Sequence, residues 1–153
     1  MSKKRKWEIT QLKKTKSFSR SAKIILNDRI TGFFQTASKY FENNSVENLH
    51  DVRISLRRIR YSMELFLICF EKKLFLRFYN RIEKLQDISG SVRDLDVMLE
   101  NFNSLQQLGK FEVGTKLTET ILNKKNGLEE VFKINLMKFL HSKVYKDFTN
   151  SLK

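Results

Sequence analysis

Proline is absent from this chain, and glycine occurs only 5 times in 153 residues. Tight turns draw heavily on those two residues, so long helices are expected rather than a sheet of hairpin-linked strands. The lone cysteine, Cys69, excludes an internal disulfide framework. It lies near the apolar end of a helical stretch, where burial is expected, and it suits a reducing compartment. Histidine occurs twice, as His50 and His141. With so few His and Cys, an ordinary zinc site lacks ligands. No nucleophile elbow and no phosphate-cradling glycine loop occurs. Asp94, Asp96 and Glu100 stand close together, but a solvated helix N-terminus explains the aspartates equally well. No catalytic residue, metal site or cofactor is therefore expected. No apolar run approaches the roughly 20 residues a membrane span requires. The opening MSKKRKWEIT has no apolar segment after its basic residues, so neither a leader nor a membrane partner is expected.

Acidic residues are also few: 17 Asp and Glu stand against 30 Lys and Arg, a net charge of +13. Such an excess attracts polyanions, whether nucleic acid, a phosphate chain or an anionic surface, and it also occurs in merely soluble basic proteins. The 41% hydrophobic content, with 13 Phe, is ample for one domain to bury its own core. The basic residues of the first 20 positions surround Trp7, Ile9, Leu12 and Phe18. The run Lys3-Lys4-Arg5-Lys6 is compatible with a targeting signal, a polyanion grip or a solvated arm. Residues 1–20 are read as a basic arm and 21–153 as the folded domain.

The stretch His50 to Phe70, HDVRISLRRIRYSMELFLICF, organises the rest. At 100° per residue, His50, Arg53, Arg57 and Arg60 fall within an arc of roughly 80°. Leu49, Val52, Leu56, Ile59, Met63, Phe66 and Phe70 lie on the other side, suited to a core. The basic stripe has two readings. Guanidiniums spaced along a rod suit a repeating anion, since each offers planar, bidentate donors to phosphate oxygens. Equally, they can pair with acids of neighbouring helices, including Glu64.

A first helix is predicted over Ser21–Glu42, with Ile24, Ile25, Asp28, Phe33, Phe34, Ala37, Tyr40 and Phe41 on its buried stripe. Asn44 with Glu47 has capping-box spacing and predicts the start of a second helix, running to about Glu71. A third is predicted over Lys72–Ile88, with Leu74, Phe75, Phe78, Tyr79, Ile82 and Leu85 inward and Lys73, Arg77, Arg81 and Lys84 on another stripe. Ser89-Gly90-Ser91 reads as a break. A fourth helix, capped by Ser91 with Asp94, follows to about Leu108, with Leu95, Met98, Leu99, Phe102 and Leu105 inward. Gly109 is a candidate C-terminal cap. A fifth helix covers about Phe111–Leu140, with Gly114 and Gly127 as candidate bends, and a short sixth holds Tyr145, Phe148 and Leu152. No sustained strand alternation occurs. The expected fold is all-α, an antiparallel bundle of about five or six helices.

Two segments resemble a known family. LHDVRISLRRIRYSMELF at 49–66 is similar to the signature of the CHAD family, the conserved histidine α-helical domain, with His50, Arg53, Arg57, Arg58 and Arg60 at the matching positions. LQDISGSVRDLDVM at 85–98 resembles its later motif, with Gly90, Arg93, Asp94 and Asp96. A weaker likeness is Ser142-Lys143-Val144-Tyr145, where Val144 replaces the family's usual basic residue. The resemblance implies an all-helical fold built of antiparallel units. It also implies non-enzymatic binding of inorganic polyphosphate on a basic surface. His50, Arg53, Arg57, Arg58 and Arg60 are then the binding candidates, although the turn per residue sets Arg58 apart from the others. Arg93 joins or orients them, and Asp94 and Asp96 act as caps or salt-bridge partners. Arg77, Arg81 and Lys84 are possible further basic contacts on chemistry alone. Family members often sit beside triphosphate-processing domains or at polyphosphate granules, so a cytoplasmic location, at granules or away from them, is expected. A CHAD domain typically holds two similar halves. This chain carries one copy of each motif and so resembles one half, which implies a homodimer rebuilding the pair. The competing function is RNA or other nucleic-acid binding by the same basic face. A triphosphate-cleaving enzyme is a third reading, thinly supported by the short carboxylate cluster.

Overall fold

A computed structural model describes residues 9, 17–109 and 112–153. The basic residues of the arm before Ser17 lie outside the described residues. Five α-helices follow one another: α1 (Phe18–Glu42), α2 (Val46–Leu65), α3 (Lys72–Gln107), α4 (Thr115–Leu140) and α5 (Lys143–Ser151). A single 3-10 turn, Leu67–Cys69, joins α2 to α3. Among the described residues there is no strand, and no helix is long and apolar enough to cross a membrane.

Each helix is set by a stripe of apolar residues at spacings of three and four. On α1 it is Ala22, Leu26, Ile30, Phe33, Ala37 and Tyr40. The expected stripe was partly displaced: Phe34 and Phe41 are exposed, because they sit one residue beyond the buried Phe33 and Tyr40. On α2 the stripe is Leu49, Val52, Leu56, Ile59 and Met63. The hydroxyl of Ser45, not the side chain of Asn44, caps α2 by accepting from Asn48 N at 3.2 Å. α2 ends at Leu65 rather than at Glu71, and Ile68 in the following turn is 87% exposed. Cys69, in the same turn, is half-buried. Glu71 begins the next element: its carboxylate accepts from Lys73 N at 2.9 Å and Leu74 N at 2.7 Å. Those two backbone donors hold its pKa below the usual glutamate value.

The largest departure from the sequence reading is α3, one helix of 36 residues where a break at Ser89-Gly90-Ser91 was expected. The buried series Phe75, Phe78, Ile82, Leu85, Ser89, Val92 and Asp96 passes through that site without losing phase. Both serines are satisfied inside the helix. Ser89 Oγ donates to Gln86 O at 2.9 Å, and Ser91 Oγ donates to Asp87 O at 3.3 Å. Glycine inside a helix costs about 1 kcal/mol relative to alanine. Burial of Leu85 and Val92 on either side contributes about 1.5–3 kcal/mol each, so continuity wins. Beyond Asp96 no α3 residue is fully buried, and Met98 and Leu105 of the expected inward set are 42% and 39% exposed. Gly109 does end the helix, at φ +65°, where its N–H donates to Gln106 O at 3.0 Å. Gly114 precedes α4 as its N-terminal cap residue, and Gly127 lies within α4.

Cross-helix contacts show α1 to α4 running up and down in turn. The start of α1 meets the end of α2 (Phe18–Phe66, centroids 5.5 Å). The end of α2 meets the start of α3 (Arg60–Tyr79, 3.0 Å), and the end of α4 meets both Phe33 of α1 and Phe78 of α3 through Phe139. α5 closes the base of the bundle: Phe148 stacks on Phe78 at 4.2 Å, and Val144 is buried beside it. The position where the family likeness weakens is thus a core position, which suits valine better than a basic residue.

Candidate functional site

Because the α2 stripe commits Leu49, Val52, Leu56 and Ile59 to the core, His50, Arg53 and Arg57 emerge on the opposite side, at the seam with α3. Together with Ile54 and Gln86 of α3 they line a recess of about 100 Å³. Among the described residues no carboxylate lines it. His50 and Arg57 are exposed, and among the described residues neither has an acidic partner within salt-bridge distance.

Arg53 lies deepest. Its Nε is buried and unpartnered among the described residues, as is Oε1 of Gln86 across the recess. Burial lowers the pKa of Arg53, Asp94 opposes that shift, Arg93 and Arg57 lower it further, and Asp96 raises it. Guanidinium nevertheless remains charged at any physiological pH. A half-buried guanidinium with one buried, unpartnered donor, close to two further guanidiniums as well as to Asp94, is a place where a bound anion would find a donor ready to pair.

The remaining sequence candidates are distributed differently. Arg93 faces the Arg53 region from α3 but is forked onto Glu100, at 2.9 and 3.5 Å. That pair is solvent-exposed, worth about 0–1 kcal/mol, and exchangeable for a stronger anion. Arg60 is enclosed in a network. Its Nε donates to Glu64 Oε1 and Tyr79 OH, both at 3.0 Å, and its Nη2 lies 3.6 Å from Glu83. Tyr79 OH donates to the same Glu64 oxygen at 2.7 Å. The hydrogen bond to Tyr79 leads the causes that raise the Arg60 pKa. For Arg60 the salt-bridge reading of the basic stripe therefore holds. Arg58 lines a separate recess of about 270 Å³ between α1 and α2, with Asp28, Arg29, Gln35 and Ser55. Arg77, Arg81 and Lys84 are exposed on α3 and line neither recess.

Neither aspartate of the second motif is a cap, because both stand inside α3. Asp94 is exposed near enough to Arg53 to favour its charge. Asp96 is 5% exposed and accepts from Lys125 Nζ of α4 at 2.6 Å, with its second oxygen buried and unpartnered. It pairs with a lysine, not with the arginines. Among the described residues no group of three or more His, Cys, Asp or Glu is placed to hold a metal ion. Gln86 and Lys125 were missed in the sequence. Gln86 stands seven residues before Arg93, on the same helical face, a relation visible only once α3 is read as continuous.

Compared with protein families, the CHAD domain matches over residues 3–103, two thirds of the chain. The chain belongs to the CHAD family. The matched CHAD span takes in α1, α2 and most of α3, and so contains every residue of the α2–α3 recess. It also reaches back into the basic arm. Among the curated proteins and the solved structures compared, none matches this chain.

Proposed function

We propose that this CHAD-family chain binds inorganic polyphosphate, without catalysis, at the α2–α3 recess. One observation carries the reading: Arg53, half-buried with an unpartnered Nε, shares a carboxylate-free recess with His50 and Arg57. In this reading Arg53 grips one phosphate group bidentately and Arg57 the next along the rod, about 6 Å further on. His50 donates an N–H at the mouth, and Arg93 exchanges Glu100 for the ligand. Arg60 acts as a latch between α2 and α3, and Arg58 lies apart from the ligand.

Nucleic acid offers the same charge, and competition separates the two. Labelled polyphosphate is bound and then challenged with RNA or unlabelled polyphosphate at matched phosphate and salt. Polyphosphate is expected to displace the label at much lower concentration, because the recess offers guanidiniums and, among the described residues of α2, Tyr61 alone as an exposed aromatic for base stacking. Equal displacement by RNA would overturn the choice of ligand.

The reading extends to assembly. A homodimer is part of the same proposal, supported by the exposed apolar side chains of Phe34 and Phe41 on α1 and Met137 on α4. Light scattering at micromolar concentration should give the mass of two chains, and the mass of one would refute it. Residence in the cytoplasm, with recruitment to granules, belongs to the same proposal.

A further inference from the structure

α3 carries basic residues on two opposed faces, and only one of them belongs to the recess. Tyr79, Glu83, Gln86 and Arg93 face α2. Lys73, Arg77, Arg81 and Lys84 lie roughly 160° around the axis from that set and are all exposed. They step along the helix for about 16 Å. Between Lys72 and Ile88 the only acids are Glu83, which is turned to Arg60, and Asp87, which is exposed three residues beyond Lys84 at the end of the row. No acid among the described residues lies within salt-bridge distance of Lys73, Arg77, Arg81 or Lys84. A solvated face of a helix normally mixes both signs and sets acids four residues from bases. Here like charges recur at Lys73, Arg77 and Arg81, each four residues from the next. That repulsion destabilises an isolated helix by a few tenths of a kcal/mol per pair, is partly screened by salt, and is relieved further by a bound anion.

We propose that this outer face of α3 is a second phosphate-chain contact, independent of the recess, so that each protein molecule joins two segments of polyphosphate. The proposal rests on the reading of the recess as a polyphosphate site. The two faces are separated by about one helix diameter, 10 Å, close to the Debye length at physiological salt, so each holds its own segment with little crosstalk. One short chain then occupies the recess, where Arg53 is already desolvated. A long chain engages both faces or links two protein molecules, and mixtures of protein with long chains form large assemblies.

The test compares tripolyphosphate, read by calorimetry, with long-chain polyphosphate, read by static light scattering. The variants are a triple on the outer face, Arg77→Gln, Arg81→Gln and Lys84→Gln, and a double in the recess, Arg53→Gln and Arg57→Gln. All five positions are helical and glutamine is a good helix former, so circular dichroism should match the parent. The outer-face triple is expected to keep tripolyphosphate affinity within about twofold, given the screening between the faces, and to give a clearly smaller scattering increase with long chains than the parent, because only the recesses are left to hold them. Undiminished scattering from that triple would overturn the second contact while leaving the recess reading intact. Unchanged tripolyphosphate binding by the recess double would overturn the recess reading itself.

Discussion

Gly90→Ala tests the continuity of α3, on which the site depends. Gly90 lies within the helix, its φ is not positive, and a Cβ built on it meets nothing within 4 Å. Alanine there removes the entropic cost of glycine and adds no clash. The expected gain is about 1 kcal/mol, the difference between the two residues inside a helix. For a chain of this size that is roughly 2–4 °C in the thermal midpoint. Gly109, at φ +65°, supplies the contrast, because its backbone disfavours a side chain although a Cβ finds open space. Gly109→Ala should therefore lose about 1 kcal/mol. Urea unfolding followed by circular dichroism, with both variants beside the parent, measures the two together. A loss of stability in Gly90→Ala would refute the continuous helix, because a turn at Ser89-Gly90-Ser91 would need the glycine. It would also remove the argument that Gln86 and Arg93 share one face.

Other expectations concern the ion pairs and caps. Lys125→Ala leaves the buried Asp96 carboxylate without its ion-pair partner and should cost about 3 kcal/mol in urea unfolding, whereas the double change Asp96→Leu with Lys125→Met should cost much less. Arg60→Ala should lower stability by about 1 kcal/mol or less, as its pairs are largely solvated, and leave tripolyphosphate affinity close to that of the parent. Equal loss of affinity in Arg60→Ala and Arg53→Ala would refute the latch role. For Glu71, whose folded pKa is depressed by two backbone N–H groups, the stabilisation is present above the unfolded glutamate pKa and lost as pH falls through the folded value. Glu71→Gln should therefore be less stable than the parent at neutral pH, and the gap should close on acidification below the normal glutamate range.

Much of the fold was legible because the apolar spacing is regular. The stripe on α2 and the apolar set Phe75, Phe78 and Ile82 were readable directly, and so was Gly109 as a helix end. What misled was local chemistry with two uses. Ser-Gly-Ser is a turn signal on its own, yet inside α3 the serines bond the preceding turn and the flanking burial outweighs the glycine. Asn44 with Glu47 had the spacing of a capping box, while the hydroxyl of Ser45 took the cap. Glu71, the N-cap that turns the chain into α3, carries no Gly or Pro signature. At the site, the pattern grouped His50, Arg53, Arg57 and Arg60 on one arc. It could not separate Arg57, left without an acid among the described residues, from Arg60, paired with Glu64, Tyr79 and Glu83. That division depends on which α3 residues lie opposite, and so on the antiparallel register of two helices.

The central claim is that Arg53 and Arg57 hold a phosphate chain. Its most direct test is the affinity for tripolyphosphate as a function of salt, for the parent and for Arg53→Ala with Arg57→Ala. By analogy with single-stranded nucleic acid, neutralisation by Arg53, Arg57 and Arg93 gives a log–log slope of about −2, and removal of two guanidiniums leaves about −0.7. The account predicts that fall in slope with loss of most of the affinity and unchanged helicity. A double variant that keeps both the affinity and the slope of the parent would contradict it.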